Sequence, residues 1–99
     1  MIRVVLSKDA RQDLRSIFRY WAERASFEVA ERIVDRILER FGLIAKFPEL
    51  GRHSDEISEG LLRITAGQYV IYFRKVLGNI RVLRILHGAR DQKLAFRPE

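Results

Sequence analysis

The stretch Leu61-Leu62-Arg63-Ile64-Thr65-Ala66-Gly67-Gln68-Tyr69-Val70-Ile71-Tyr72-Phe73-Arg74-Lys75-Val76-Leu77-Gly78-Asn79-Ile80-Arg81-Val82-Leu83-Arg84-Ile85-Leu86 decides the fold. Apolar residues recur there with period two: Leu62, Ile64 and Ala66, then Tyr69, Ile71 and Phe73, then Ile80, Val82 and Leu86. Turn dipeptides at Gly67-Gln68 and Gly78-Asn79 separate the three runs, which predicts a three-stranded meander. Upstream, residues 47–60 hold Pro48, Gly51, Ser54, Asp55, Ser58 and Gly60 without a sustained period and read as a loop. Before them the period becomes helical. Ser26 is an N-cap, and Ala30, Ile33, Val34, Ile37, Leu38, Phe41 and Ile44 form a stripe that Pro48 ends. Ser7 caps an earlier helix, with Asp9 in its first turn and Ala10, Leu14, Ile17, Phe18, Trp21 and Ala25 on one face. Almost no loop separates the two helices, so an antiparallel hairpin follows. Ile2, Val4 and Leu6 alternate as a short opening strand. The expected architecture is α+β: an N-terminal strand, then a helical hairpin packed on a small antiparallel sheet that ends in the meander.

Ninety-nine residues suit a single domain spanning 1–99. Hydrophobic residues make up 47% and charged residues 32%, a globular composition. No cysteine is present, which removes disulfides, thiolate metal sites and a thiol nucleophile, and two histidines make a poor metal cage, so no cofactor is expected. No apolar run is long enough for a signal peptide or a membrane span, and a cytoplasmic protein is expected. The net charge is +6, and fifteen of the nineteen cations are arginine, the side chain that pairs with carboxylate or phosphate through a fork. An acidic partner is implied, either nucleic acid or an acidic protein segment.

Two surfaces invite a partner. Arg11, Arg15 and Arg19 fall at i+4 steps on the first helix and make a cationic stripe, unless they are only its solvated face. The meander's opposite parity carries Leu61, Val70, Tyr72, Leu83 and Ile85 among Arg63, Arg74 and Arg81. Two helices cover one face of a small sheet, so this second apolar set is expected to stay open for a partner, or to be ordinary exposed residues. Arginine, histidine and an acid are also the parts of a metal-free phosphodiester-cleaving site: Arg63 in a strand, and His87, Arg90 and Asp91 at the end of the meander. The plainer reading of His87 is a strand-end imidazole hydrogen-bonded to a local carboxylate such as Asp91, and of His53 a solvated loop residue. Asp55, Glu56 and Glu59 stand before Arg63 and repel phosphate unless arginines pair with them. On the second helix Glu28, Arg32, Asp35, Arg36, Glu39 and Arg40 mix signs as an ordinary exposed face does.

Several segments together resemble a known family: Asp13-Leu14 through Ile17 and Tyr20, Phe47-Pro48-Glu49-Leu50-Gly51-Arg52, Gly60-Leu61-Leu62-Arg63, Tyr69-Val70-Ile71-Tyr72-Phe73, and Ile85-Leu86-His87 with Arg90-Asp91. In order and spacing the chain resembles the ParE toxins of the ParE/RelE superfamily over nearly its whole length. The resemblance implies that fold and a bacterial type II toxin that poisons DNA gyrase by binding, with no catalytic residues. It implies a ParD-like antitoxin that forms a hetero-oligomer with the toxin and alone carries the pair to operator DNA, with no membrane involved. The antitoxin's acidic C-terminal segment is then expected on Arg11, Arg15 and Arg19 together with Tyr72, Leu83 and Ile85. The alternative is the RelE branch, which cuts mRNA on the ribosome. On that reading Arg63 and Arg90 stabilise charge and His87 moves a proton. Here His87 is followed by Gly88, lysines are scarce, and the one aromatic in the tail is Phe96, which carries no proton.

Overall fold

A computed structural model of the chain describes residues 2–89. Strand β1 (Val4–Leu6) leads into α1 (Lys8–Arg24) and α2 (Phe27–Lys46), followed by a single 3-10 turn (Pro48–Leu50). Strands β2 (Arg52–His53), β3 (Leu62–Ala66), β4 (Tyr69–Val76) and β5 (Asn79–His87) complete one five-stranded sheet in the order β1-β5-β4-β3-β2. The meander β3-β4-β5 is antiparallel as expected, but β1 lies parallel to β5, with Val4 beside Ile80 and Leu6 beside Val82, so the sheet is mixed. The crossover between these parallel strands runs through the helical hairpin and then β2, β3 and β4.

Ser7 does two jobs at the start of this crossover. Its hydroxyl accepts the Ala10 N–H at 3.0 Å as the N-cap of α1 and donates to the Leu83 carbonyl at 2.8 Å, which pins the helix start to β5. Ser26 caps α2 by accepting from Val29 N–H at 3.1 Å. Phe18 and Phe27 meet edge to face at 5.2 Å across the two-residue connection, and the helices run side by side. Ile17, Ile37, Phe41 and Ile44 from the helices bury against Ile71, Phe73, Ile80 and Val82 of the sheet. Leu38, expected on the buried stripe of α2, is exposed instead.

Three details depart from the alternating pattern, each for a local reason. The second hairpin turns at Leu77-Gly78, because Val76 pairs with Asn79, and both turn residues have positive φ, 52° and 81°. That is the requirement of a tight two-residue hairpin loop; glycine meets it freely, whereas leucine is strained there by about 1–2 kcal/mol. The segment expected to be loop contains β2, whose Arg52 and His53 pair with Arg63 and Leu62; two residues are too few to show a period. Finally, a β-bulge breaks the β4–β5 register: Phe73 pairs with Val82 but Tyr72 with Arg84, leaving Leu83 as the extra residue. The bulge inverts the parity of the rest of β5. Ile85 therefore joins the core between sheet and helices, and Leu86, expected in that core, turns to the other face.

Candidate functional site

The second apolar face of the sheet is not open. Residues 54–61 fold over it, so that Leu61, Tyr72 and Leu86 form a separate buried cluster with Ile57, Val70 and Leu83 packed around it. This corrects two of the residues expected at a partner surface. Tyr72 is 2% exposed beneath the covering segment, and Ile85 is 2% exposed in the main core because of the bulge. Leu83 is half-buried at the edge of the second cluster. At about 1.5–3 kcal/mol per large apolar side chain, the cover recovers the energy that an open face would forfeit.

Arg63 holds that cover down. Its guanidinium donates to the His53 carbonyl at 3.0 Å and the Ser54 hydroxyl at 2.6 Å, and lies 3.5 Å from the Glu56 carboxylate. Ser54 is fully buried and anchors the segment: its N–H donates to the Leu61 carbonyl, and its own carbonyl accepts from Ile57 and Ser58. Arg74 on β4 donates to the Glu59 carbonyl and the Ser58 hydroxyl. Two strand arginines thus tie down an acidic segment, which is how Glu56 comes to sit beside a cation. Beneath it, burial pushes the Tyr72 phenol above its ordinary pKa; the Arg63 charge opposes this and Glu56 adds to it.

His87 is bonded on both ring nitrogens. Nδ1 accepts the Ala89 N–H at 3.1 Å, which leaves the proton on Nε2, 3.2 Å from the Gln68 side-chain oxygen, and the ring meets Tyr69 edge-on at 5.5 Å. The imidazole is locally bonded, with the Gln68 amide as one partner; the expected carboxylate, Asp91, lies outside the described residues, as does Arg90. His53 is solvated, 4.0 Å from Asp55. Register then separates the nuclease candidates. Arg63 pairs with Tyr72 and His87 with Tyr69, three positions apart on β4, so the two side chains stand on opposite faces of the sheet. They do not converge on one phosphate.

The arginine stripe does meet an apolar surface, though a different one from that expected. Arg11, Arg15 and Arg19 are exposed along α1. Arg15 and Arg19 rim an open groove between the helices lined by Leu14, Phe18, Ala22 and Val34, with Glu23 at its margin. Phe27, exposed and stacked on Phe18, extends the apolar strip. Helical periodicity placed Leu14, Phe18 and Val34 on the inner stripe; their half-exposure arises because two helices crossing a short sheet cannot both turn their whole stripe inward.

One further constellation had little signal in the sequence. Beyond Val82 the outer edge of β5 has lost β1, and the Asp13 carboxylate of α1 takes its place. It accepts from Arg84 Nε at 2.8 Å, from Arg84 again at 3.0 Å and from Ile85 N–H at 2.9 Å. Hydrogen bonding to Asp13 raises the Arg84 pKa further. Asp13 stood within the resembling segments, but its partner lies 71 residues away.

Comparison with known proteins agrees with this geometry. The model of the family described as "ParE toxin of type II toxin-antitoxin system, parDE" matches residues 4–92. Toxin ParE1 of Mycobacterium tuberculosis is 30% identical over 90 residues, covering 90% of this chain and 92% of the relative. Toxin ParE3 of Caulobacter vibrioides is 30% identical over 88 residues, covering 89% and 88%. A solved chain from the structure titled "Chromosomal ParDE TA system from P. aeruginosa" shares the fold at a TM-score of 0.77 and 21% identity, covering 88% of this chain and 96% of that one.

Proposed function

The chain belongs to the ParE toxin family of type II toxin–antitoxin systems, and from that premise we propose that it acts by binding, inhibiting DNA gyrase in the bacterial cytoplasm until a ParD-like antitoxin neutralises it. The observation that carries binding over catalysis is the placement of Arg63 and His87 on opposite faces of the sheet, each committed to bonds within the fold. No single phosphodiester fits between them, which supports binding over the RelE-type reading; the third residue of that reading, Arg90, lies outside the described residues.

For the antitoxin, the groove between α1 and α2 replaces the covered sheet face. A partly helical segment lays apolar side chains on Leu14, Phe18 and Val34 while its carboxylates reach Arg15 and Arg19, with Arg11 extending the stripe by one turn. Charge-assisted contacts of this kind contribute on the order of 1.5–3 kcal/mol each when desolvated and far less when exposed.

Two experiments test the reading. Purified toxin added to gyrase and supercoiled DNA should block supercoiling or trap cleaved DNA, and unaffected gyrase at a large molar excess of folded toxin refutes that target. The triple variant Arg11→Glu/Arg15→Glu/Arg19→Glu should bind antitoxin at least tenfold more weakly by calorimetry. Unchanged affinity would make the stripe a solvated face.

A further inference from the structure

The segment 54–61 covers only part of the outer face of the sheet, and the part left open, toward the β4–β5 hairpin tip, is cationic. Arg81 pairs across the strands with Arg74 on one side and Val5 on the other. Arg3 lies just before β1, its N–H donating to the Asn79 side chain at 3.1 Å. By the alternation of the strands, Arg3, Arg81 and Arg74 share one face across three neighbouring strands, a row about 10 Å wide. Val5 and Val76 expose apolar surface on the same face, between the charges and the hairpin tip.

Nothing acidic answers this row. Residues 60–89 contain neither aspartate nor glutamate. Among the described residues, no carboxylate is within ion-pair distance of Arg3, Arg74 or Arg81, and the side-chain bonds of Arg74 go to neutral acceptors. Like charges directly opposite, as Arg74 and Arg81 are, work against the sheet. Leu77 stands at the end of the same hairpin, 98% exposed and in a left-handed conformation. Arg74 also holds the 54–61 segment, but its pairing with Arg81 and the strained exposure of Leu77 both work against the fold.

We infer that this face binds double-stranded DNA, the three arginines on phosphates and Leu77 entering a groove as an apolar wedge. A protruding ribbon chooses its partner by shape. Sites for acidic peptides are concave, whereas here the apolar element projects and the cations flank it, the complement of a groove walled by phosphates. The deep, narrow major groove of duplex RNA does not admit such a ribbon, and among the described residues no exposed aromatic for stacking single strands lies on the β4–β5 hairpin. Leucine flanked by cations is also the composition of side chains that wedge between base steps. The inference goes beyond the gyrase reading and is tested without gyrase, so either can fail alone.

The test is fluorescence anisotropy of a labelled 20-base-pair duplex with the purified chain at several salt concentrations. Three phosphate contacts give a log–log salt slope of about −2.7, an affinity loss of about 40-fold between 50 and 200 mM salt. Arg3→Ala/Arg81→Ala should reduce the slope to about −0.9, while Arg32→Ala/Lys46→Ala, with the same loss of charge on α2, should leave it near the wild-type value. Leu77→Gly, which suits the turn and so preserves the fold, should weaken binding several-fold at an unchanged slope. Equal slopes for the two double variants would overturn the inference. So would an absence of DNA binding at 50 mM salt, or displacement of DNA by oligo-glutamate of equal charge concentration, which would make the face a dock for an acidic protein.

Discussion

Asp13→Ala is the most informative single perturbation of this fold. The Asp13 carboxylate is 14% exposed and the Arg84 guanidinium 20%, so the pair sits near the buried end of the range. Removing one partner of a buried pair costs about 3–5 kcal/mol, and an orphaned N–H at Ile85 adds to it; the residual solvent contact of both groups places the total near the lower bound, about 3 kcal/mol. With an unfolding entropy of about 2.1 cal/mol/K per residue, a chain of 99 residues should lose about 14 °C in Tm, read by calorimetry or circular dichroism. Asp13→Asn keeps an acceptor for Ile85 but not the charge, and should lose about half as much. Replacing both partners, as Asp13→Leu/Arg84→Met, should recover much of the loss, because no charge then remains to be solvated. A Tm drop under about 3 °C for Asp13→Ala, or a double variant whose loss equals the sum of the singles, would refute the account of Asp13 as the surrogate for the missing strand.

Tyr72 links stability to pH: with its folded pKa raised above the unfolded value near 10, the folded state holds its proton longer, so this stabilisation is complete below pH 10 and is lost as pH rises through the folded value. Urea midpoints of wild type should accordingly fall between pH 9 and 11 more steeply than those of Tyr72→Phe, and equal slopes would contradict burial of the phenol. Arg63→Ala should release the covering segment, with amides of Ser54 and Leu61 exchanging at least tenfold faster by hydrogen exchange while Ile71 and Val82 keep their protection; Arg63→Lys, lacking the fork, should rescue little. Leu77→Asn should raise Tm by about 2–5 °C, since asparagine tolerates the left-handed turn conformation and leucine does not; a lower Tm would mean that Leu77 makes contacts that favour the fold.

Both helices, their serine caps, the Pro48 stop and the three-stranded meander were legible in the chain, because each is specified by residues close in sequence: a hydroxyl three positions before an N–H, an apolar period of 3.6 or 2, a glycine at a turn. The resemblance to ParE toxins was legible for the same reason, as an ordered series of local segments. What escaped were consequences of a single extra residue. The bulge at Leu83 changes no period that can be read without its partner strand, yet it sends Ile85 inward and Leu86 outward and so exchanges the faces on which the two were expected.

The chain's own pattern of apolar spacing, caps and turns determined an α+β architecture, and its excess of arginine determined a net charge of +6. Which arginines face a partner was decided only in three dimensions. Arg63, Arg74 and Arg84 look alike in the sequence, each in a strand among apolar neighbours, but Arg63 and Arg74 fasten the 54–61 segment and Arg84 binds Asp13 across 71 residues. An alternating strand tells which residues share a face without telling what covers it. Cover depends on where distant segments return, and here one returning loop closed the sheet face while the crossing of two helices left a groove open beside the stripe of α1.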